Sequence, residues 1–391
     1  MLRRLWLRTE DPERKVSRIV VAAPQVRWRS PPLHSRLVTD ELPRRRRYVV
    51  LSEGAFGGLA SKTAMGVIRY GRDEVVAVLD SRQAGRSVRE WLGDAYEIPI
   101  VADLADALAR RPDTLLIGIA PQGGRIPPDW RRTILSAIDA GLDVVSGLHE
   151  FISDDPEFAT AARTVGVELV DHRKPPDFQG VSSGRQHRAG TKVILTVGTD
   201  CAIGKMSVAL ELRRAAAQAG LRAVFVATGQ TGIMIEGWGA PVDRLVSDFL
   251  AGTVEWLVER AERMGDWIFV EGQGSLDHPA YSAVTLGLLH GATPDAMILA
   301  HQPGRTEHHG WEGRAGPGLK PLVPFIRLHE EVAALVRPSR VAAVALDTHE
   351  LTEPQSRAAI ARVGQETGLT TDDPVRYGGA RLMEALTEML R

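Results

Sequence analysis

The chain has 391 residues, 44% hydrophobic and 25% charged, with 48 basic against 49 acidic side chains and a formal charge of −1. That length holds two or three domains, the apolar share supports a packed core, and the charge balance excludes a generally polyanion-binding protein. The single cysteine, Cys201, excludes an intramolecular disulfide, and no apolar run reaches the roughly 18–20 residues a membrane span needs.

Charge is unevenly spread. Residues 1–50 hold twelve Arg and one Lys against five acids, and segment 24–47 contains four prolines and ends in four arginines, Arg44 to Arg47. Residues 1–46 are read as a loose basic extension rather than an arm for an anionic partner, with residues 17–23 as a short strand within it. The first ten residues carry no apolar stretch of signal-peptide length. The expectation is a cytoplasmic protein acting on a small molecule, without nucleic-acid or membrane partners and compatible with a homo-oligomer.

Ordered structure is expected from Tyr48. Residues 48–51 form a β-branched apolar run that ends in Ser52-Glu53-Gly54, a buried strand entering a turn. A helix over 62–70 follows, then a strand over 74–80 with Asp80 at its end. Next come a helix over 104–110, a strand over 114–120, a loop over 121–128, a helix over 131–140 closed by Gly141, and a strand over 142–146. Residues 167–170 end the series. Strand and helix alternating at this spacing specify a parallel sheet with helices on its faces. The glycines Gly54, Gly57 and Gly58 with Asp80 hint at a dinucleotide site but lack the Gly-x-Gly-x-x-Gly spacing. A Rossmann-like scaffold over 47–172 is the preferred reading, with Lys62 and Thr63 as an added anion contact.

Residues 173–191 are polar and turn-rich and read as a linker. A second α/β series fills 192–391, with strands over 193–197, 223–227, 267–270, 296–300 and 341–346. Its most informative stretch is Gly198-Thr-Asp-Cys-Ala-Ile-Gly-Lys-Met-Ser207, an apolar strand running into glycines, Lys205 and a helix. Glycines let backbone N–H groups face one point, the helix start adds partial positive charge, and Lys205 adds a full one, so a diphosphate is the natural guest. Two departures stand out. Five residues separate Gly198 from Gly204, and Met206 stands where a hydroxyl normally holds Mg²⁺, with Ser207 one place later. That displacement weakens Mg-ATP chemistry without weakening diphosphate binding. Glu271, at the end of strand 267–270, is placed to orient water or an amine, and Gly272 and Gly274 to admit a substrate or offer N–H groups to an oxyanion.

The long loop is similar to that of dethiobiotin synthetase and its relatives, and so are Thr228-Gly-Gln-Thr231 and Val270-Glu-Gly-Gln-Gly274. Beyond these, Val242-Asp-Arg244, His278-Pro-Ala-Tyr281, Leu299-Ala-His301-Gln-Pro303 and Asp373-Pro-Val-Arg376 extend the match over about residues 48–390. The chain resembles the DgcN-like family, long catalogued as a domain of unknown function, in which D-glutamate N-acetylation is the characterised activity. The resemblance implies a Rossmann-like domain followed by a P-loop NTPase-like domain. It implies acetyl transfer from acetyl-CoA to the α-amine of a D-amino acid, D-glutamate first. Gly198, Thr199, Asp200, Gly204, Lys205, Met206, Ser207 and Asp347 would then bind the cofactor; relatives often carry Asn where Asp347 stands, which bears on base preference. Gln230, Thr231, Arg244, Gln273 and Arg305 would bind substrate, and Glu271, His278 and Tyr281 would act in catalysis. The alternatives are a Mg-ATP-dependent kinase or ligase, and a nucleotide-binding regulator without chemistry. The segment from His301 to His309 is rich in ligating side chains but loop-like, so no metal is assigned.

Overall fold

The computed structural model describes residues 44–119, 124–314 and 318–391. The strand expected over 17–23 and residues 121–123 of the expected loop lie outside them.

The first sheet contains β1 (Arg47–Leu51), β2 (Glu74–Leu79), β3 (Ile100–Val101), β4 (Thr114–Ile117), β5 (Asp143–Ser146) and β6 (Leu169–Asp171). All pairs are parallel, in the order β3-β2-β1-β4-β5-β6. This is the doubly wound order, with its switch point between β1 and β4. The helices are α1 (Lys62–Tyr70), α2 (Arg89–Leu92), α3 (Leu104–Leu108), α4 (Trp130–Asp139) and α5 (Pro156–Val165). The reading along the chain passed over α5, although its signals are present. Asp155 caps it by accepting from the N–H groups of Glu157 and Phe158, proline opens it, and Gly166 closes it. The two-residue β3 is too short for a period to show.

The second sheet is built from β7 (Lys192–Gly198), β8 (Ala223–Val226), β9 (Trp267–Val270), β10 (Ala296–His301), β11 (Arg340–Leu346) and β12 (Thr370–Asp372). It is also parallel, in the order β12-β11-β10-β7-β9-β8. Its helices are α6 (Lys205–Gln218), α7 (Gln230–Glu236), α8 (Ser247–Met264), α9 (Ser282–Ala292), α10 (Leu322–Ala334), α11 (Glu353–Thr367), α12 (Pro374–Tyr377) and α13 (Ala380–Met389). Because every strand runs the same way, the segments after β7, β8, β9, β10 and β11 gather at one edge.

Parallel strands covered on both faces must be apolar on both, and β7 places Val193, Leu195 and Val197 on one face and Ile194 on the other, all buried. One apolar cluster joins the two sheets. It runs from Val50, Val78 and Leu116 through Val67 of α1, Leu212 of α6 and Ile235 of α7 to Ile194, Phe225 and Phe269. The two sheets therefore share a core.

Of the basic extension, Arg44 to Arg46 are described, and they are anchored. The Arg46 guanidinium donates to Asp143 at 2.7 Å and to Glu168 at 3.2 Å, and Arg44 pairs with Asp113 and Asp143. The hinted dinucleotide site is closed from within. Buried Asp80 accepts from the N–H groups of Gly54, Phe56 and Arg82, each at 3.0 Å, and so ties the β1–α1 loop with the carboxylate a ribose would need.

Candidate active site

The P-loop leaves β7 at Gly198 and enters α6 at Lys205. Gly204 caps that helix at φ +84°, a conformation suited to glycine, and Ala202 shares the left-handed region at φ +51°. Thr199 is buried, donates its N–H to the Ala300 carbonyl, and places its hydroxyl 3.0 Å from His301 Nδ1. The Lys205 ammonium donates to the Asp200 carbonyl. Burial pushes this ammonium down to about 8, against the pull of Cys201 and Asp200. The Asp200 carboxylate is fully buried. Burial alone would raise its pKa, but the N–H groups of His309 and Cys201 and the Arg305 guanidinium outweigh it and hold the group below its usual range.

Arg305 spends Nη1 on this loop, donating to Asp200 Oδ2 at 2.8 Å and to the Cys201 carbonyl at 2.7 Å. Its expected role as a substrate clamp is thus at least shared with bracing the loop. Met206 turns toward α1, where a Cβ added at Gly66 would lie 3.2 Å from its methyl carbon. Ser207 lies beside the Tyr70 hydroxyl. Asp347, after β11, hydrogen-bonds with its neighbour His349, and its Oδ2 reaches within 4.0 Å of a Cβ placed at Gly204.

Glu271 follows β9 and is buried. Its Oε2 accepts from the N–H groups of Thr228 at 2.9 Å and Gly229 at 3.1 Å, while Oε1 accepts from no described residue. Burial raises the carboxyl to about 7, against those two N–H donors. Gln273 donates to the Thr228 hydroxyl at 3.1 Å, and Thr231 meets Thr63 of α1 at 3.0 Å, with Gln230 packed on Gly147. The expected oxyanion donor at Gly272 is already committed. Its N–H donates to Thr196 Oγ1 at 2.9 Å, and a Cβ there would fall 1.6 Å from the Thr196 carbonyl oxygen. Glycine at 272 serves strand packing.

His278 also has both ring nitrogens engaged. Nδ1 accepts from the Ala280 N–H, and Nε2 faces the His309 carbonyl, each at 3.1 Å. Tyr281 is half exposed with its ring 4.7 Å from that of His278. Arg244 is exposed and lies over the Phe151 ring. Asp200, Cys201 and His278 bring ligand-type atoms within 4.8 Å of one another. The engaged imidazole, and a thiol held protonated by burial, make poor ligands for a cation.

The sequence reading missed two features. Buried Arg173 donates to the Gly147 carbonyl and pairs with Asp243, linking the segment after β6 to the second domain. Buried His308 sits 3.5 Å from Asp200 Oδ1 and 4.0 Å from Asp277 Oδ2, two oxygens with no hydrogen-bond partner. Arg173 has no local signal; His308 lies in the His301–His309 segment noted for its ligating side chains, but its place between two carboxylates depends on segments brought together by the fold.

Residues 81–175 match the description "DUF1611_N, Rossmann-like domain", and residues 180–383 match "DUF1611_C, P-loop domain". The chain belongs to the DUF1611 family. A DUF1611 protein from Anabaena variabilis ATCC 29413, solved by crystallography, has the same fold at 39% identity. The TM-score is 0.82, with 88% of this chain and all of that chain covered. Two relatives bear the name D-glutamate N-acetyltransferase. That of Tritonibacter scottomollicae is 35% identical over 328 residues, 84% of this DUF1611 chain and 94% of its own. That of a Pseudoalteromonas species is 35% identical over 266 residues, 68% and 78% of the two chains. Among the described residues no helix is long and apolar enough to cross a membrane.

Proposed function

We propose that this chain is an N-acetyltransferase that moves an acetyl group from acetyl-CoA to the α-amine of a D-amino acid, with D-glutamate the first acceptor to test. The observation that carries this reading is the 35% identity over nearly the whole length of a relative with that name. Two features of the site support it. Lys205 and the N-terminal turn of α6 suit a diphosphate such as that of CoA. The residue after Lys205 packs on α1, so no hydroxyl stands where Mg-ATP chemistry needs one.

A thioester donor supplies an already activated acetyl group when bound. The chain itself must bind the acceptor and take a proton from its ammonium. Glu271 is suited to this, because one oxygen is pinned by two N–H groups, the other is unengaged, and the carboxyl titrates near neutrality. Arg305 and the Asp200 carboxylate hold the loop that cradles the diphosphate. His278 and Tyr281 are assigned to shaping the site rather than to carrying protons.

The test is purified protein with acetyl-CoA and a panel of D- and L-amino acids, following free thiol release and N-acetyl product. Acetylation of D-glutamate that survives EDTA is expected. Activity that needs ATP and Mg²⁺ would overturn the reading.

A further inference from the structure

Lys62, the first residue of α1, belongs to the N-terminal domain but stands at the P-loop. Three contacts bring α1 alongside the helices of the second domain. Thr63 Oγ1 meets Thr231 Oγ1 at 3.0 Å, Gly66 abuts Met206, and the Tyr70 hydroxyl donates to Glu211 at 3.0 Å. From Gly66 to Tyr70 the partners advance from Met206 to Glu211, so α1 and α6 run the same way and their N-terminal turns lie side by side. The start of α1, with its partial positive charge, therefore opens where α6 opens.

The cations around this place differ in one respect. Lys205 donates to the Asp200 carbonyl, Arg305 to Asp200 and Cys201, and Arg173 to Gly147 and Asp243. Lys62 is exposed, and among the described residues it donates to no group and pairs with no acid. The next residue, Thr63, meets Thr231 in the first turn of α7, directly after the Thr228 and Gly229 amides that Glu271 holds, so the start of α1 lies beside the Glu271 turn as well as beside the P-loop.

We propose that Lys62 receives a carboxylate of the acceptor, so that the acceptor site is shared between the two domains. This rests on the reading that Glu271 handles the acceptor amine. In an α-amino acid the carboxylate is one carbon from the amine, so the proton acceptor and the cation that holds the carboxylate must be neighbours. The P-loop amides and Lys205 already serve a diphosphate, which leaves the unpaired ammonium on the Glu271 side for the second anion.

The experiment compares wild type, Lys62→Met and Lys62→Arg by calorimetry with D-glutamate and with CoA, and by steady-state kinetics. Lys62→Met is expected to weaken D-glutamate binding by about 10–100-fold, raising the acceptor KM more than it lowers kcat, with CoA affinity within about twofold. Lys62→Arg should recover most of the loss. Equal or greater weakening of CoA would assign Lys62 to the donor phosphates and overturn the proposal, as would unchanged D-glutamate affinity. Should wild type neither bind nor acetylate D-glutamate, D-glutamate is not the acceptor, and a panel of other amino acids and dicarboxylates decides for Lys62. A carboxylate that wild type binds and Lys62→Met binds at least tenfold less tightly sustains it. No such carboxylate overturns it.

Discussion

Lys205 and Glu271 both titrate near neutrality because each is a charged group placed where water is scarce, and desolvation moves a base down and an acid up. For Lys205 the ammonium is the binding form, so CoA affinity should fall as pH rises above about 8, and Lys205→Met should abolish binding by calorimetry with the fold intact. For Glu271 the carboxylate is the working form, so acceptor turnover should rise with pH through about 7. Glu271→Gln should lower kcat by roughly 10²–10⁴ with CoA affinity kept; near-normal kcat would make Glu271 structural. Stability gives an independent check. The folded pKa of Glu271 lies above its ordinary value of 4.5, so the native state favours the protonated acid. Its contribution is complete below about 4.5 and is lost as pH rises toward 7 and beyond. The melting temperature of Glu271→Gln relative to wild type should therefore be higher at pH 8 than at pH 5.

At the scale of elements, the site depends on what each strand end is tied to. The β8–α7 turn is held to β9 through Glu271, the P-loop to the β10–α10 connection through Asp200 and Arg305, and the β11–α11 turn to α12 through Asp373, which accepts from Thr348. The β1 edge is tied by arginine instead. Arg46→Ala removes the donor to the mostly buried Asp143 while Arg44 remains, so it should cost about 1–3 kcal/mol in denaturant titrations. A loss near zero would show that Arg44 alone satisfies that carboxylate. The strands over 193–197 and 267–270 were legible because both faces of a buried parallel strand are apolar. Three-residue β12 was not, since so short a run has no period to detect.

At the scale of the whole molecule, a shared apolar core joins α1, α6 and α7 to both sheets. The described domains should therefore unfold together. Calorimetry should record one cooperative transition, and two separated transitions would show that the shared cluster contributes little. CoA at 100 times its Kd should stabilise that transition by about 2.7 kcal/mol.

The sequence by itself determined the parallel α/β architecture, the P-loop and the family, because these rest on local patterns: apolar strand runs, glycine and lysine at fixed spacing, and motifs in a set order. Tertiary structure decided which charged groups are available. Asp80, Gly272 and His278 looked open along the chain, yet each is engaged by a backbone group or side chain of another segment or turn. Lys62 was read as an anion contact of the N-terminal domain alone, and only the packing of α1 against α6 and α7 shows that its helix opens beside the P-loop. Hydrogen-bond satisfaction is a property of neighbours in space, and a linear chain does not display them.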